Sequence, residues 1–263
     1  MKLAIIGSGN IGGAIALGLS KSNIISASDI ICADKSDAVL AKIRASNPEI
    51  VTSTDNVISV KNADVVIIAV KPWLVETVID EIKPVTDYSR QMFVSVAAGI
   101  NTFKLSRFLD KDDSEPTFFR IIPNTAVEVR ESVNFIAPYN ATDEQTNIIV
   151  KLFATLGLTF VINENLMGAA TSLASCGIAY AFRYIRACME GAVELGFYPA
   201  QAQEIVMQTL KGAVALLDAR KSHPESEIDC VTTPGGITIK GLNAMEENGF
   251  TNAVIKGLKA SNV

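Results

Sequence analysis

The chain has 263 residues, of which 49% are apolar and 19% charged, with 23 Lys and Arg against 28 Asp and Glu for a formal net charge of −5. That is apolar material for one large core or two medium ones, and the mildly acidic balance argues against nucleic acid as a partner. Cys32, Cys176, Cys188 and Cys230 show no C-x-x-C pairing and sit among apolar or small residues, a pattern of reduced cytoplasmic thiols rather than of a disulfide or zinc framework.

At the N-terminus, Lys2 to Ile6 reads as a strand running into Gly7-Ser8-Gly9-Asn10-Ile11-Gly12-Gly13, followed by an apolar helical pattern through Ile15 and Leu19. G-x-G-x-x-G between a strand and a helix predicts a dinucleotide site: Gly7 for the tight turn, Gly9 for close approach of a pyrophosphate, Gly12 for helix–strand packing. The glycines and Asn10 interrupt any signal-peptide core. A second strand, Asp29 to Ala33, ends in Asp34 about twenty residues past the fingerprint, where an adenosine ribose is expected.

Strand-like runs continue at 64–69, 92–96, 117–122 and 133–136, alternating with helical patterns at Asp55–Lys61, Leu74–Ile82, Thr102–Leu109 and Asp143–Thr155. Such alternation predicts a doubly wound, Rossmann-type α/β sheet. Ligands in these sheets lie at the carboxyl ends of the strands, which draws attention to Ala69-Val70-Lys71-Pro72 after the fourth strand and Ala97-Ala98-Gly99 after the fifth. Asn124 is a further polar candidate that equally suits a turn cap. The acidic stretch 110–116 reads as an exposed loop.

Beyond residue 162 the pattern turns helical, over Leu166–Leu195, over Pro199–Ala219 and again after Thr238. The expected organisation is therefore a dinucleotide-binding domain over 1–162 and an all-α domain over 163–263. The uncharged run Asn165–Phe182 is too rich in Ser, Thr, Asn and Gly for a membrane span and reads as a buried helix. Leu173, Ile178, Ala181, Phe182, Ile185 and Met189 exceed one apolar stripe, so this helix needs neighbours on several sides, some of them supplied by a second copy of the chain. His223, the single histidine, reads as a solvated turn residue. Thr232-Thr233-Pro234-Gly235-Gly236-Ile237-Thr238 predicts a glycine turn opening a helix, where bare N–H groups and the helix dipole attract a small anion and Thr238 adds a hydroxyl.

Together these residues resemble the pyrroline-5-carboxylate reductases, over essentially the whole chain. The resemblance rests on the Gly7–Gly12 fingerprint, Val70-Lys71-Pro72, Ala97-Ala98-Gly99-Ile100, Pro123-Asn124-Thr125, Ser175-Cys176-Gly177-Ile178-Ala179-Tyr180 and above all Thr232 to Glu246. Ile122, Ala126, Ala174 and Ile178 depart from the residues usual at their positions, and bear on the fine geometry of the substrate loop. The resemblance implies hydride transfer from NADPH, with NADH also usable, to L-Δ1-pyrroline-5-carboxylate, giving L-proline in a cytoplasmic homodimer formed through the helical domain. Dimers can build higher oligomers in such families. The implied cofactor residues are Gly7, Gly9, Asn10, Ile11, Gly12, Asp34, Lys35, Ser36, Asn56, Ala69, Val70, Lys71, Pro72, Ala97 and Gly99. The implied substrate residues are Cys176, Gly177, Thr233, Gly235, Gly236 and Thr238, with Thr238 nearest the chemistry.

Asp34-Lys35-Ser36 gives a mixed message about the cofactor, since an acidic residue there suits the free ribose 2′-hydroxyl while Lys35 and Ser36 suit a 2′-phosphate. Two other readings compete. A β-hydroxyacid dehydrogenase needs a base, a catalytic lysine on the inter-domain helix, and there is no lysine from Asn163 to Leu210. A non-catalytic nicotinamide sensor would keep the fold without the chemistry.

Overall fold

The computed structural model describes residues 1–111 and 114–262. Eight strands form one sheet: β1 (Leu3–Ile6), β2 (Ile30–Ala33), β3 (Val51–Ser53), β4 (Val65–Ile68), β5 (Met92–Ser95), β6 (Thr117–Ile122), β7 (Ser132–Tyr139) and β8 (Gly157–Val161). Their spatial order is β3-β2-β1-β4-β5-β6-β7-β8, and every neighbouring pair is parallel except β6 with β7. The reversal between β1 and β4 is the switch point of a doubly wound sheet, where the strand order opens a crevice.

Every residue of β1, β4, β5 and β6 is buried, as expected for central strands covered on both faces. Successive side chains alternate between the two faces. Leu3 and Ile5 join one core with α1 (Asn10–Ser20), α2 (Asp37–Ser46) and, after β7, the helix Asp143–Ala154, while Ala4 and Ile6 join a second core. That second core takes in α3 (Asn56–Val60), α4 (Val75–Ile82) and α5 (Thr102–Leu109), and Asp143–Ala154 is α6 in chain order. Pro138 of β7 is tolerated because β8 pairs only with Ser132–Ile136, so no ladder bond on that side needs its missing N–H.

After β8 come a 3₁₀ turn Glu164–Leu166, a short helix α7 (Met167–Ala170) and a π-helical turn Thr171–Cys176. The long helix expected over Leu166–Leu195 is thus interrupted. Thr171 and Ser172 return their hydroxyls to the carbonyls of Met167 and Gly168, at 2.7 and 3.3 Å, and Asn124 reaches the Ala174 carbonyl at 3.4 Å. By packing, the described residues form two compact units, Met1–Ser175 with Asn262 and Cys176–Ser261. Met167 is fully buried with Ile122 and Ala137 and anchors residues 164–175 to the sheet unit.

The second unit holds α8 (Gly177–Glu194), α9 (Pro199–Arg220), α10 (Pro224–Cys230), α11 (Ile237–Glu247) and α12 (Phe250–Ala260). Of their residues only Ala202 is fully buried within the single chain. Within the single chain, the run Asn165–Phe182 expected to be buried leaves Leu173 63% exposed on the π-helical turn and Phe182 59% exposed on α8. Among the described residues no helix is long and apolar enough to cross a membrane. The expected loop at 110–116 is in part an antiparallel bridge between Lys111 and Ser114, with the Lys111 Nζ donating to the carbonyls of Lys83 and Thr86; Asp112 and Asp113 lie outside the described residues.

Candidate active site

The fingerprint turn is built by steric exclusion. Gly7 has φ +88°, and a Cβ there would stand 2.7 Å from Val70 Cγ1 and 2.9 Å from the Ala69 carbonyl. At Gly12 a Cβ would meet the Gly7 oxygen at 2.0 Å, so α1 can press on β1 only with glycine at that position. Gly9 differs, because a Cβ there would meet nothing within 4 Å. Its open side faces outward from the start of α1, where Gly9 is an N-cap with no side-chain acceptor and the first turn holds no acidic residue. The free N–H groups and the dipole of α1 thus form a cradle for an anion.

A cleft of about 630 Å³ opens at the carboxyl ends of β1, β4 and β5. It brings together Gly7, Gly9, Asn10, Ile11, Asp34, Lys35, Asn56, Ala69, Val70, Lys71, Pro72 and Ala97. Gly12 and Ser36 are not among its lining residues, and Gly99, with φ +76°, lines another cavity instead. Ala98, singled out in the turn after the fifth strand, lines the cleft too, whereas sequence reasoning missed Ile6, Leu74, Thr77, Val78 and Val96 in the cleft wall. Leu74 and Val78 are four apart on one helix face, and Val96 precedes Ala97, so extending each motif by one turn or one residue finds them.

Asp34 is held by two backbone donors, Ser8 N–H on Oδ2 and Ser36 N–H on Oδ1, each at 2.9 Å. Asn56 is almost fully buried and donates to Glu81 at 2.9 Å. Nearby, burial pushes the Cys32 thiol up to about 11 against the opposing effect of its hydrogen bond with Ser8, which keeps it protonated and unreactive near neutral pH. Asn124 acts as a cap, its Oδ1 accepting from Ala126 N–H at 3.0 Å.

In the helical unit, Thr233-Pro234-Gly235-Gly236 closes a turn in which Gly236 N–H donates to the Thr233 carbonyl at 2.9 Å. Gly235 takes φ +70°, the left-handed position that follows proline in a type II turn. A Cβ on Gly236 would fall 2.6 Å from Thr233 Oγ1, which excludes other residues. Gly236 is the N-cap of α11 and offers no side-chain acceptor, so the first N–H groups of that helix are unsatisfied. Thr238 is the second residue of α11, exposed, and its hydroxyl bonds to none of the described residues. Cys176 ends the π-helical turn and Gly177 opens α8, and no hydrogen bond among the described residues joins them to the Thr232–Thr238 loop. His223 is more than a solvated turn residue: it caps α10, its Nδ1 accepting from Glu225 N–H at 3.2 Å.

The cleft fits a dinucleotide by its own geometry, with an uncovered cradle at Gly9 and mostly apolar walls from Val70, Leu74, Val78, Val96 and Ala97. Residues 2–99 match a family described as NADP oxidoreductase coenzyme F420-dependent, and residues 164–263 match one described as pyrroline-5-carboxylate reductase dimerisation. Pyrroline-5-carboxylate reductase 1 and 2 of Dictyostelium discoideum are each 35% identical over 98% of this chain; the chain spans 48% of the first and 90% of the second. The crystal structure of a Plasmodium falciparum pyrroline carboxylate reductase with NADP bound superposes with a TM-score of 0.90 at 27% identity, covering 99% of this chain and 95% of that one. Fold, motifs and relatives agree across the whole length, and the chain belongs to the pyrroline-5-carboxylate reductase family.

Proposed function

We propose that this protein reduces L-Δ1-pyrroline-5-carboxylate to L-proline with NADPH as its preferred reductant. The observation that carries this reading is the uncapped N-terminus of α11, with Gly235 at φ +70° and, in the same first turn as the bare N–H groups, a Thr238 hydroxyl that bonds to none of the described residues. Such a loop suits a small carboxylate whose ring nitrogen needs one polar partner. When bound, the reduced nicotinamide cofactor supplies the hydride. Gly7, Gly9 and the first turn of α1 would hold its pyrophosphate, Lys35 and Ser36 its 2′-phosphate, and Val70, Lys71, Pro72 and Ala97 the nicotinamide half.

The chain's own chemistry is positioning. N–H groups at Gly236 and the start of α11 anchor the carboxylate, and the Thr238 oxygen accepts a hydrogen bond from the protonated ring nitrogen. A cyclic imine protonates near neutral pH, so the electrophile arrives activated and no strong general acid is required. The residues agree: the single histidine is occupied as a helix cap, and Cys32 is held protonated by burial. As the imine carbon accepts the hydride the nitrogen loses its positive charge, and the resulting secondary amine takes a proton from water. Val70, Leu74 and Val78 give the cleft an apolar wall against which a bound nicotinamide half would be shielded from water.

The working unit in this proposal is a cytoplasmic homodimer, open to further assembly into a higher oligomer of dimers, because the helical unit alone leaves most of its apolar surface uncovered. Mixing purified protein with NADPH and pyrroline-5-carboxylate tests the reading. Substrate-dependent NADPH oxidation supports it, and NADPH binding without oxidation marks a sensor instead.

A further inference from the structure

Arg120 sits in the centre of β6, opposite Ser95 of β5 and Ala137 of β7, with its side chain only 8% exposed. Its Nη1 donates to Glu164 Oε1, and that same oxygen accepts the N–H of Thr102 at 3.1 Å. Thr102 is the first residue of α5, whose side-chain cap is already provided by Asn101 accepting from Lys104 N–H at 2.9 Å. Glu164 therefore satisfies a different donor. Arg120 Nε and Glu164 Oε2 are buried with no partner among the described residues.

An ion pair between a buried arginine and a glutamate one-third exposed, with two atoms left without partners among the described residues, is a poor device for stability, since desolvation of the arginine offsets much of the Coulomb attraction. Its position suggests another role. The turn Ala97-Ala98-Gly99-Ile100 leaves β5 and enters α5, with Gly99 at φ +76° as its pivot. At its start, Ala97 N–H donates to Ser95 Oγ at 3.4 Å. Beyond its end, Thr102 N–H is tied to Glu164. Ala97 and Ala98 line the 630 Å³ cleft, so a turn pivoting on a left-handed glycine is held between these two tethers. We propose that Glu164, oriented by Arg120, is a positioning residue that fixes the Ala97–Ile100 turn against the nicotinamide half of the cofactor. The inference rests on reading the cleft as the NADPH site.

Calorimetric titration of the purified full-length protein with NADPH and with 2′,5′-ADP, which carries only the adenosine half, tests it. Because removing Glu164 alone strands the buried Arg120 charge, the variants remove both charges. Arg120→Met with Glu164→Leu deletes the acceptor for Thr102, whereas Arg120→Met with Glu164→Gln retains one. The first should raise the Kd for NADPH about tenfold and lower kcat to match, with the Kd for 2′,5′-ADP within about twofold of the parent; the second should recover most of both losses. Equal NADPH affinity in the two double variants overturns the proposal, as does a parallel loss of both ligands or failure of the first pair alone to fold. Wild-type protein that binds NADPH yet leaves pyrroline-5-carboxylate unreduced overturns the functional reading instead and leaves these comparisons standing.

Discussion

The Asp34 carboxylate joins two loops, its Oδ2 accepting from Ser8 N–H in the fingerprint turn at 2.9 Å and its Oδ1 from Ser36 N–H after β2 at the same distance. An aspartate with both oxygens engaged by the backbone serves first as a brace, and its negative charge then stands where a 2′-phosphate would add more.

Asp34→Asn should raise the ratio of kcat/KM for NADPH over NADH about fivefold, from a repulsion of ~1 kcal/mol between solvated charges. Asparagine can accept only one of the two N–H bonds, so absolute kcat/KM should fall for both cofactors. Steady-state kinetics with each cofactor checks this; an unchanged or reduced ratio contradicts it.

Gly9 and Gly12 should fail in different ways. A Cβ at Gly9 has open space and φ −66° is ordinary, so Gly9→Ala should keep its thermal midpoint while NADPH affinity drops about tenfold or more. Gly12→Ala drives a Cβ to 2.0 Å from the Gly7 oxygen and should cost about 3 kcal/mol of stability. Thermal unfolding alongside cofactor titration separates the two.

Thr238→Ala should lower kcat/KM by about ten- to a hundredfold, corresponding to the ~1.5–3 kcal/mol of a hydrogen bond to a charged partner. The cap of α11 is Gly236 rather than Thr238, so the thermal midpoint should stay put. A clearly lowered midpoint with near-normal turnover would mean the threonine is structural.

Much of this was legible along the chain, for physical reasons that differ by element. The β1–α1 turn declares itself because three glycines stand at fixed spacing: Gly7 and Gly12 answer steric demands, at Val70 and Ala69 and at the Gly7 carbonyl, while Gly9 leaves the cradle open. The edge strand Val51–Ser53 does not, since three residues with two hydroxyls carry no periodicity, and β8 keeps most of its residues partly or fully exposed. The π-helical turn at Thr171–Cys176 depends on a tertiary bond from Asn124 that lies fifty residues away, as the separation of its partners shows. The attachment of residues 164–175 to the sheet unit likewise depends on where Met167 is buried. Glu164 was invisible for the same reason: its partners, Arg120 and Thr102, are distant in sequence and share no motif with it.

Phe182→Glu should convert the protein to an inactive monomer. Phe182 is 59% exposed on α8 of a unit that buries almost nothing by itself, and a charge in a face that needs apolar cover is costly. Sedimentation at assay concentration checks it, and a stable active monomer of the parent protein would contradict the dimer.

The central claim is tested most directly by counting products. Purified protein incubated with NADPH and L-Δ1-pyrroline-5-carboxylate should form one L-proline for each NADPH oxidised, measured by chromatography against cofactor absorbance. NADPH bound but not consumed, or consumed without proline appearing, would contradict it.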